Sequence, residues 1–378
     1  MNRVKVTTEN DSYDAIVDPH CIERAAEYIR PLTSTRRLFV VADAHALKHH
    51  RSLLERGLAG MDFVTLSFDG GEKHKRLDQI ELLAKQMYSA GADRSACVIA
   101  FGGGVVGDMS GFLAASYMRG IDVIHIPTTL LSQVDASVGG KTGVNLAEGK
   151  NLIGAFHQPL LVLIDPTLLD TLPEREYRAG LFEVIKYGVI WNPALFNLLK
   201  EGRDLVLKRD RDTLETLIAD SIRIKAEIVG QDERESDLRR ILNYGHTLGH
   251  PLEAETNYIR LLHGEAVGFG MVVASRLAKL LGMFDEEECA SLEALIAAYG
   301  PIPELTGVDP VRLVSRIHGD KKTLKGHVHF VLPEKIGAVR VVRDPEPSFV
   351  MTATQTALES FGPGSLFTTP PSSSAVSP

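Results

Sequence analysis

Five short apolar runs in the first half of the chain constrain the fold most: RLFVVAD (37–43), DFVTLSF (62–68), ACVIAFG (96–102), DVIHIP (122–127) and LVLID (161–165). They are short and mostly apolar, as strands buried on both faces are. Stretches of helical periodicity separate them, among them Asp78–Ala90 and Val106–Ala115. Strands alternating with helices imply a parallel sheet with crossover helices. The opening segment RVKVTTENDSYDAIV is suited to an antiparallel ribbon ahead of that sheet.

After Pro173 the pattern changes. Residues 174–300 carry long 3.6-residue periodicities and few strand signals, which predicts an all-α second domain. A late hairpin is expected in HVHFVLPEKIGAVRVVR (327–343). From Gly362 the chain turns to Pro and Ser, a composition that predicts disorder. The expected organisation is an α/β domain over 1–172, a helical domain over 173–361, and a tail over 362–378. A chain of 378 residues readily fills two cores.

The formal net charge of −8 argues against nucleic acid or an anionic membrane as main partner, so any anionic ligand needs locally clustered Lys and Arg. Three cysteines, Cys21, Cys97 and Cys289, are odd in number and widely spaced, as suits free thiols in a reducing compartment. There is no signal-peptide core at the N-terminus and no apolar run of membrane-spanning length. The expected location is the cytoplasm.

Glycine-rich turns crowd the segment 96–159. Gly102, Gly104 and Gly107 form G-x-G-x-x-G after a strand and before a helix, where backbone N–H groups and a helix N-terminus can meet a pyrophosphate. The usual acidic residue at the end of the next strand is missing; Asp43, ending an earlier strand, can take the ribose role instead. Alone, the motif fits a structural strand–helix turn almost as well. Lys141 and Lys150 lie in what reads as glycine-rich loops, where they suit phosphate or carboxylate.

Glu183 and Lys186 stand at i, i+3 among Phe182, Val184, Ile185 and Tyr187, so their face of the helix is largely apolar. Spacing of this kind ordinarily means a surface ion pair; here it also fits purposeful burial. His246 and His250 stand at i, i+4, with His263 following in LHGEA. Their spacing supports a divalent-metal site about as well as it supports satisfied surface histidines. Pro251 requires the helix to begin near His246, with the proline around its first turn. Arg119, Lys225, Arg239, Lys321 and Lys322 complete a basic set whose members, singly, read as solvated charges.

As an ordered set, GGEKHK, GGGVVGD, IPTTLLSQVDASVGGKTGVN, GKNLIGAFHQP, EVIKYG, LNYGHTLGH, LHGEAV and DKK resemble the 3-dehydroquinate synthases among the sugar-phosphate cyclases. The resemblance runs from about Asp43 to Lys322. It implies an N-terminal α/β domain binding NAD, a helical domain holding zinc (cobalt being a possible substitute), an active site in the cleft between them, and a homodimer. It implies Glu183, His246 and His263 as metal ligands. Asp43, Glu72, Lys75, Gly104, Val105, Val106, Gly107, Asp108, Thr128, Thr129, Lys141 and Lys150 would line the NAD site, with Leu168, Leu169, Asp170 and Thr171 closing it. Arg119, Asp135, Lys225, Arg239 and Asn243 would bind substrate. Lys141, Asn151, Lys186, His250 and one of Lys321 and Lys322, with Lys322 favoured, would carry the chemistry.

The implied reaction converts 3-deoxy-D-arabino-heptulosonate 7-phosphate to 3-dehydroquinate and phosphate, with NAD consumed and regenerated in each turnover. Sibling cyclases acting on other sugar phosphates are the nearest alternative; Lys225, Arg239, Asn243, His250 and Lys322 disfavour them. A metal-dependent polyol dehydrogenase is more distant, since a neutral alcohol needs no such basic set. A catalytically dead NAD-binding regulator would lack a ligand or a lysine, and none is missing.

Overall fold

A computed structural model describes residues 1–33, 36–317 and 327–369. The chain packs as two compact units, one of Met1–Pro173 with Arg209–Glu233, the other of Glu174–Lys208 with Arg234–Pro378.

In the first unit the apolar runs become strands of one seven-stranded sheet. The strands are β1 (Asn2–Thr7), β2 (Ser12–Val17), β3 (Leu38–Asp43), β4 (Phe63–Phe68), β5 (Cys97–Gly102), β6 (Asp122–Pro127) and, after a separate hairpin of β7 (Lys141–Leu146) and β8 (Gly149–Phe156), β9 (Leu161–Ile164). Their order is β1-β2-β9-β6-β5-β3-β4. Only the β1–β2 pairing is antiparallel; the ribbon expected ahead of the sheet joins it, because β2 pairs in parallel with β9. Alternate residues of β3 enter different cores: Leu38, Val40 and Ala42 face one, Phe39 and Val41 the other. That is the double burial expected of the apolar runs; β4, at the edge of the sheet, departs from it, with Phe63, Val64 and Thr65 half-buried and Ser67 exposed.

The helix Arg211–Gln231 lies with this unit rather than with the helices that flank it in sequence. Asn2 Nδ2 donates to Glu215 Oε1 at 2.7 Å, and a Cβ at Gly230 would come within 2.7 Å of the Thr7 carbonyl oxygen. Helical periodicity fixes that a face is buried but not against what, so the chain passes between the units three times, at 173/174, 208/209 and 233/234, where one boundary at 172/173 is expected from the sequence.

The second unit is helical, with the expected hairpin as β10 (His329–Lys335) and β11 (Ala338–Arg343). Helix His263–Leu280 is buried along nearly its whole length. Glycines let its neighbours approach: a Cβ at Gly264 would lie 1.8 Å from the Ala179 carbonyl oxygen, and one at Gly270 1.7 Å from that of Gly245. Of the Pro/Ser tail, residues 370–378 lie outside the described residues. Residues 362–369 fold back: Phe367 is buried and stacks on Phe361 at 4.4 Å, and its carbonyl accepts from Ile302 N at 2.8 Å. Two aromatic rings outweigh the polar composition there. Among the described residues no helix is long and apolar enough to cross a membrane.

Candidate active site

The sheet register of the first unit gathers most of the residues named for the nucleotide. Asp43 ends β3 opposite Phe68 of β4, and Ala42 stands opposite Phe101 of β5. Gly102 stands opposite Pro127 of β6, and its carbonyl accepts from Thr128 N at 3.0 Å. The loops after β3, β4, β5 and β6 therefore leave the same edge. The chain moves outward from β3 to β4, then back past β3 to β5, so the order reverses at this point. Ligands of open α/β sheets bind outside the carboxyl ends at such reversals.

Glycines matter here at specific places. At Gly102 a Cβ would lie 2.4 Å from Val106 Cγ2, inside the first turn of helix Gly104–Ser116. At Gly70 a Cβ would lie 1.8 Å from Asp43 Oδ2, while Gly71 has a φ of +97°. Each of the doubled glycines thus has its own reason. Asp43 accepts from His45 N at 2.6 Å and so also caps the next helix. Thr129 and Ser132 bond one another. Leu168 and Leu169 are core residues of a short turn held by Asp165, so their side chains point into protein; Thr171 Oγ1 meets His50 Nε2 at 2.7 Å, and Asp170 pairs with Arg211 at 2.6 Å.

Lys141 and Lys150, expected in loops, instead stand on the two strands of the β7–β8 hairpin. Glycine makes this hairpin possible: a Cβ at Gly143 or Gly154 would strike backbone of the opposite strand. Lys75 is buried and donates to Asp108 and to Asn151 Oδ1. Burial lowers the pKa of its ammonium, but the Asp108 and Glu72 carboxylates outweigh that and raise it, so Lys75 is charged. Lys150 approaches Glu72 at 3.8 Å. Lys225 is buried, donates to the Asp135 carbonyl at 2.6 Å and pairs with its carboxylate at 3.0 Å. Arg119 is exposed with a φ of +74°, following Met118 at +48°.

In the second unit three helices carry the candidate metal donors. The ligating atoms of His246, His250 and His263 lie within 4.8 Å of one another. Glu183 Oε1 lies 3.5 Å from His246 Nε2 and 3.4 Å from His263 Nε2. His246 Nδ1 meets the Tyr244 carbonyl at 2.9 Å and His263 Nδ1 meets Glu253 Oε2 at 3.2 Å, which commits both Nδ1 atoms to oxygen and leaves both Nε2 atoms directed at Glu183. Imidazole nitrogens and a buried carboxylate oxygen converging on one point fit a divalent transition ion.

His263 is placed by a helix cap. Glu265 accepts from Leu262 N at 2.7 Å and is gripped by Arg175, on the helix that also carries Glu183. Burial lowers the His263 pKa, but Glu253 and Glu183 outweigh it and push it up to about 10, so a bound ion would displace a proton there. Pro251 is the sixth residue of helix His246–Glu255, deeper than the first turn expected for it. It withholds only the N–H that would have met the Thr247 carbonyl.

Lys186 is buried, with its Nζ 2.6 Å from Glu183 Oε2. Arg239 is buried in the short helix Leu238–Asn243, and Asn243 donates to Glu235. Lys321 and Lys322 lie outside the described residues.

Two residues that sequence reasoning missed stand behind these groups. Glu253, buried, backs His263; the signal was a carboxylate at i+3 from His250 and i+7 from His246, on the same helix face. Asn145, also buried, bonds Glu72 and Asn151. It sits unremarked in KTGVN, and only tertiary pairing reveals it.

Two solved structures resemble the chain throughout. 2-epi-5-epi-valiolone synthase of Streptomyces hygroscopicus subsp. jinggangensis 5008, with NAD+ and Zn2+ bound, matches with a TM-score of 0.86 and 31% identity, over 93% of this chain and 98% of that one. A 2-deoxy-scyllo-inosose synthase complexed with carbaglucose-6-phosphate, NAD+ and Co2+ matches with a TM-score of 0.84 and 25% identity, over 94% and 99%. Fold and donor set together thus define a member of the sugar-phosphate cyclase superfamily. Residues 65–179 match the family model for the 3-dehydroquinate synthase N-terminal region and 180–323 that for the C-terminal region. The 3-dehydroquinate synthase of Solibacter usitatus (strain Ellin6076) is 54% identical over 353 residues, which are 93% of this chain and 98% of that protein. The chain belongs to the 3-dehydroquinate synthase family.

Proposed function

We propose that this chain converts 3-deoxy-D-arabino-heptulosonate 7-phosphate to 3-dehydroquinate and phosphate, as a carbon–oxygen lyase. The observation that carries the reading is a buried ammonium beside the metal donors. Lys186 lies one carboxylate away from two imidazoles aimed at the same point. An alcohol dehydrogenase acting on a neutral substrate has no use for that charge; an enzyme expelling phosphate does.

The metal is held by Glu183, His246 and His263, and NAD by the loops after β3 to β6. When bound, NAD takes up a hydride and later returns it, and the ion acidifies the hydroxyl being oxidised. Lys141, Asn151, Lys186 and Lys322 hold the substrate phosphate and stabilise it as charge builds on the departing oxygen. Once a ketone stands next to the reacting carbon, its C–H proton passes to an oxygen of the leaving phosphate itself, so no further base is required. Lys225 and Arg239 bind the substrate carboxylate; a guanidinium can do so with two parallel bonds. Arg119, Asp135 and Asn243 orient the sugar. His250 relays the proton of the hydroxyl that is oxidised and re-formed, its ring centroid 5.2 Å from that of His246. The working form is a cytoplasmic homodimer, the dimer being checked by light scattering.

The deciding test is phosphate release from 3-deoxy-D-arabino-heptulosonate 7-phosphate with NAD supplied, with and without a chelator. Chelator-sensitive release with dehydroquinate formed and no net NADH supports the reading. A folded, metal-loaded, NAD-bound protein that releases none rejects it, and turnover of another sugar phosphate would then assign the chain to a sibling activity.

A further inference from the structure

The β7–β8 hairpin is irregular at one place. Val144 pairs with Ile153 and Leu146 with Gly149, so the single residue Asn145 stands opposite Lys150, Asn151 and Leu152. A strand with surplus residues bends and leaves ladder groups unmatched. Asn145 accounts for several of them at once. Its backbone N–H donates to the Lys75 carbonyl at 2.8 Å, across to the GGEKHK loop. Its side-chain Nδ2 donates to Glu72 Oε1 at 2.8 Å, and its Oδ1 accepts from Asn151 N at 2.8 Å. Asn151 has a φ of +52°, a left-handed conformation that asparagine tolerates but must be held in. Its own Oδ1 accepts from Lys75 Nζ, which also binds Asp108.

From this closed circuit we infer that Asn145 is a positioning residue that couples nucleotide occupancy to the presentation of Asn151. The inference rests on the reading that Glu72, Lys75 and Asp108 serve NAD and that Asn151 serves the sugar phosphate. A nucleotide that orders the Glu72–Lys75 loop orders Asn145 through two bonds, and Asn145 then holds the Asn151 backbone in its left-handed state. A sugar phosphate bound at Asn151 tightens the nucleotide loop by the same amount, because coupling of this kind is reciprocal. Buried hydrogen bonds of this type, lost singly, cost about tenfold in an equilibrium.

The test uses the metal-loaded full chain and two variants. Asn145→Ala removes both side-chain arms. Asn145→Asp keeps the acceptor for Asn151 N–H but sets a carboxylate against Glu72. NAD affinity is measured by titration of the nucleotide-free protein, and KM for the sugar phosphate at saturating NAD. Asn145→Ala is expected to weaken NAD about tenfold and raise KM about tenfold with a smaller change in kcat. Asn145→Asp is expected to weaken NAD by as much while raising KM less. Combined with Asn151→Ala, Asn145→Ala should raise KM no further yet still weaken NAD. An unchanged NAD affinity in both variants, or strictly additive KM effects in the double variant, overturns the coupling alone. Wild-type protein that binds no NAD overturns the site reading, and the coupling with it. Should Asn145→Ala fail to fold, Asn145→Asp with and without Asn151→Ala decides by the same two criteria.

Discussion

Glu253 and His250 share a helix face, yet the geometry gives them different tasks that can be separated by substitution. Glu253 touches His263 on the side away from Glu183, so it fixes which nitrogen of that ring faces the donors. Carboxylates in this position typically contribute about 10- to 100-fold to metal affinity. Glu253→Ala is therefore expected to weaken zinc by that factor in a chelator competition, and to alter the visible spectrum of the cobalt-substituted protein. Glu253→Gln, which can still accept the Nδ1–H bond, should recover part of both. His250→Ala should leave zinc affinity within a few-fold while slowing turnover strongly. Equal loss of metal in His250→Ala and Glu253→Ala would make His250 a ligand and undo the assignment of Glu183. The sequence displayed His246, His250 and His263, because histidines are rare enough for spacing to carry information. It hid Glu253, because a glutamate on a helix is ordinarily a solvated charge.

At the scale of elements, legibility followed whether the signal was local. Strands β3, β5, β6 and β9 could be read from consecutive apolar residues, since double burial writes itself into each strand. The β7–β8 hairpin could not, because its residues, KTGVN and GKNLIGAF, are dictated by cross-strand contact and by the Glu72 loop rather than by a core. Helix Arg211–Gln231 was legible as a helix and not as a member of the first unit, for its partner β1 lies more than two hundred positions away. The Gly70–Gly71 pair shows what local reading can still add once the partner is known. Gly70→Ala places a Cβ on the Asp43 carboxylate, whereas Gly71→Ala strains a φ of +97° with nothing in the way. Gly70→Ala is thus expected to weaken NAD by displacing Asp43, and to cost about 1 kcal/mol through the helix cap that Asp43 supplies. Gly71→Ala should cost on the order of 1–3 kcal/mol of local stability, since its φ of 97° and ψ of 153° lie where essentially only glycine is found, and perturb NAD less. A denaturant titration beside an NAD titration separates the two; equal NAD affinity in Gly70→Ala and wild type would remove Asp43 from the nucleotide site.

For the molecule as a whole, the central sheet has a weak point toward acid. His125 lies inside β6, buried, with Gly107 packed so that a Cβ there would stand 3.6 Å from its Nδ1. Burial, with a smaller contribution from His157, lowers its pKa to about 4 from the 6.5 of an exposed histidine. In the interval between those values the unfolded chain takes up a proton that the folded sheet refuses. Stability therefore falls as the pH drops from about 6.5 to about 4, and loses nothing more on this account below that. At 1.36 kcal/mol per pKa unit the full loss is roughly 3 kcal/mol. Hydrogen exchange of the β5 and β6 amides reports the opening free energy of this unit without assuming that both units unfold together. Between pH 7 and pH 4.5 that free energy should fall more in the wild type than in His125→Phe, by most of this amount. His125→Phe is chosen because its ring fills the same space and cannot titrate. Parallel losses in the two proteins would mean that His125 keeps its proton when folded, and the acid sensitivity would then belong to the carboxylates.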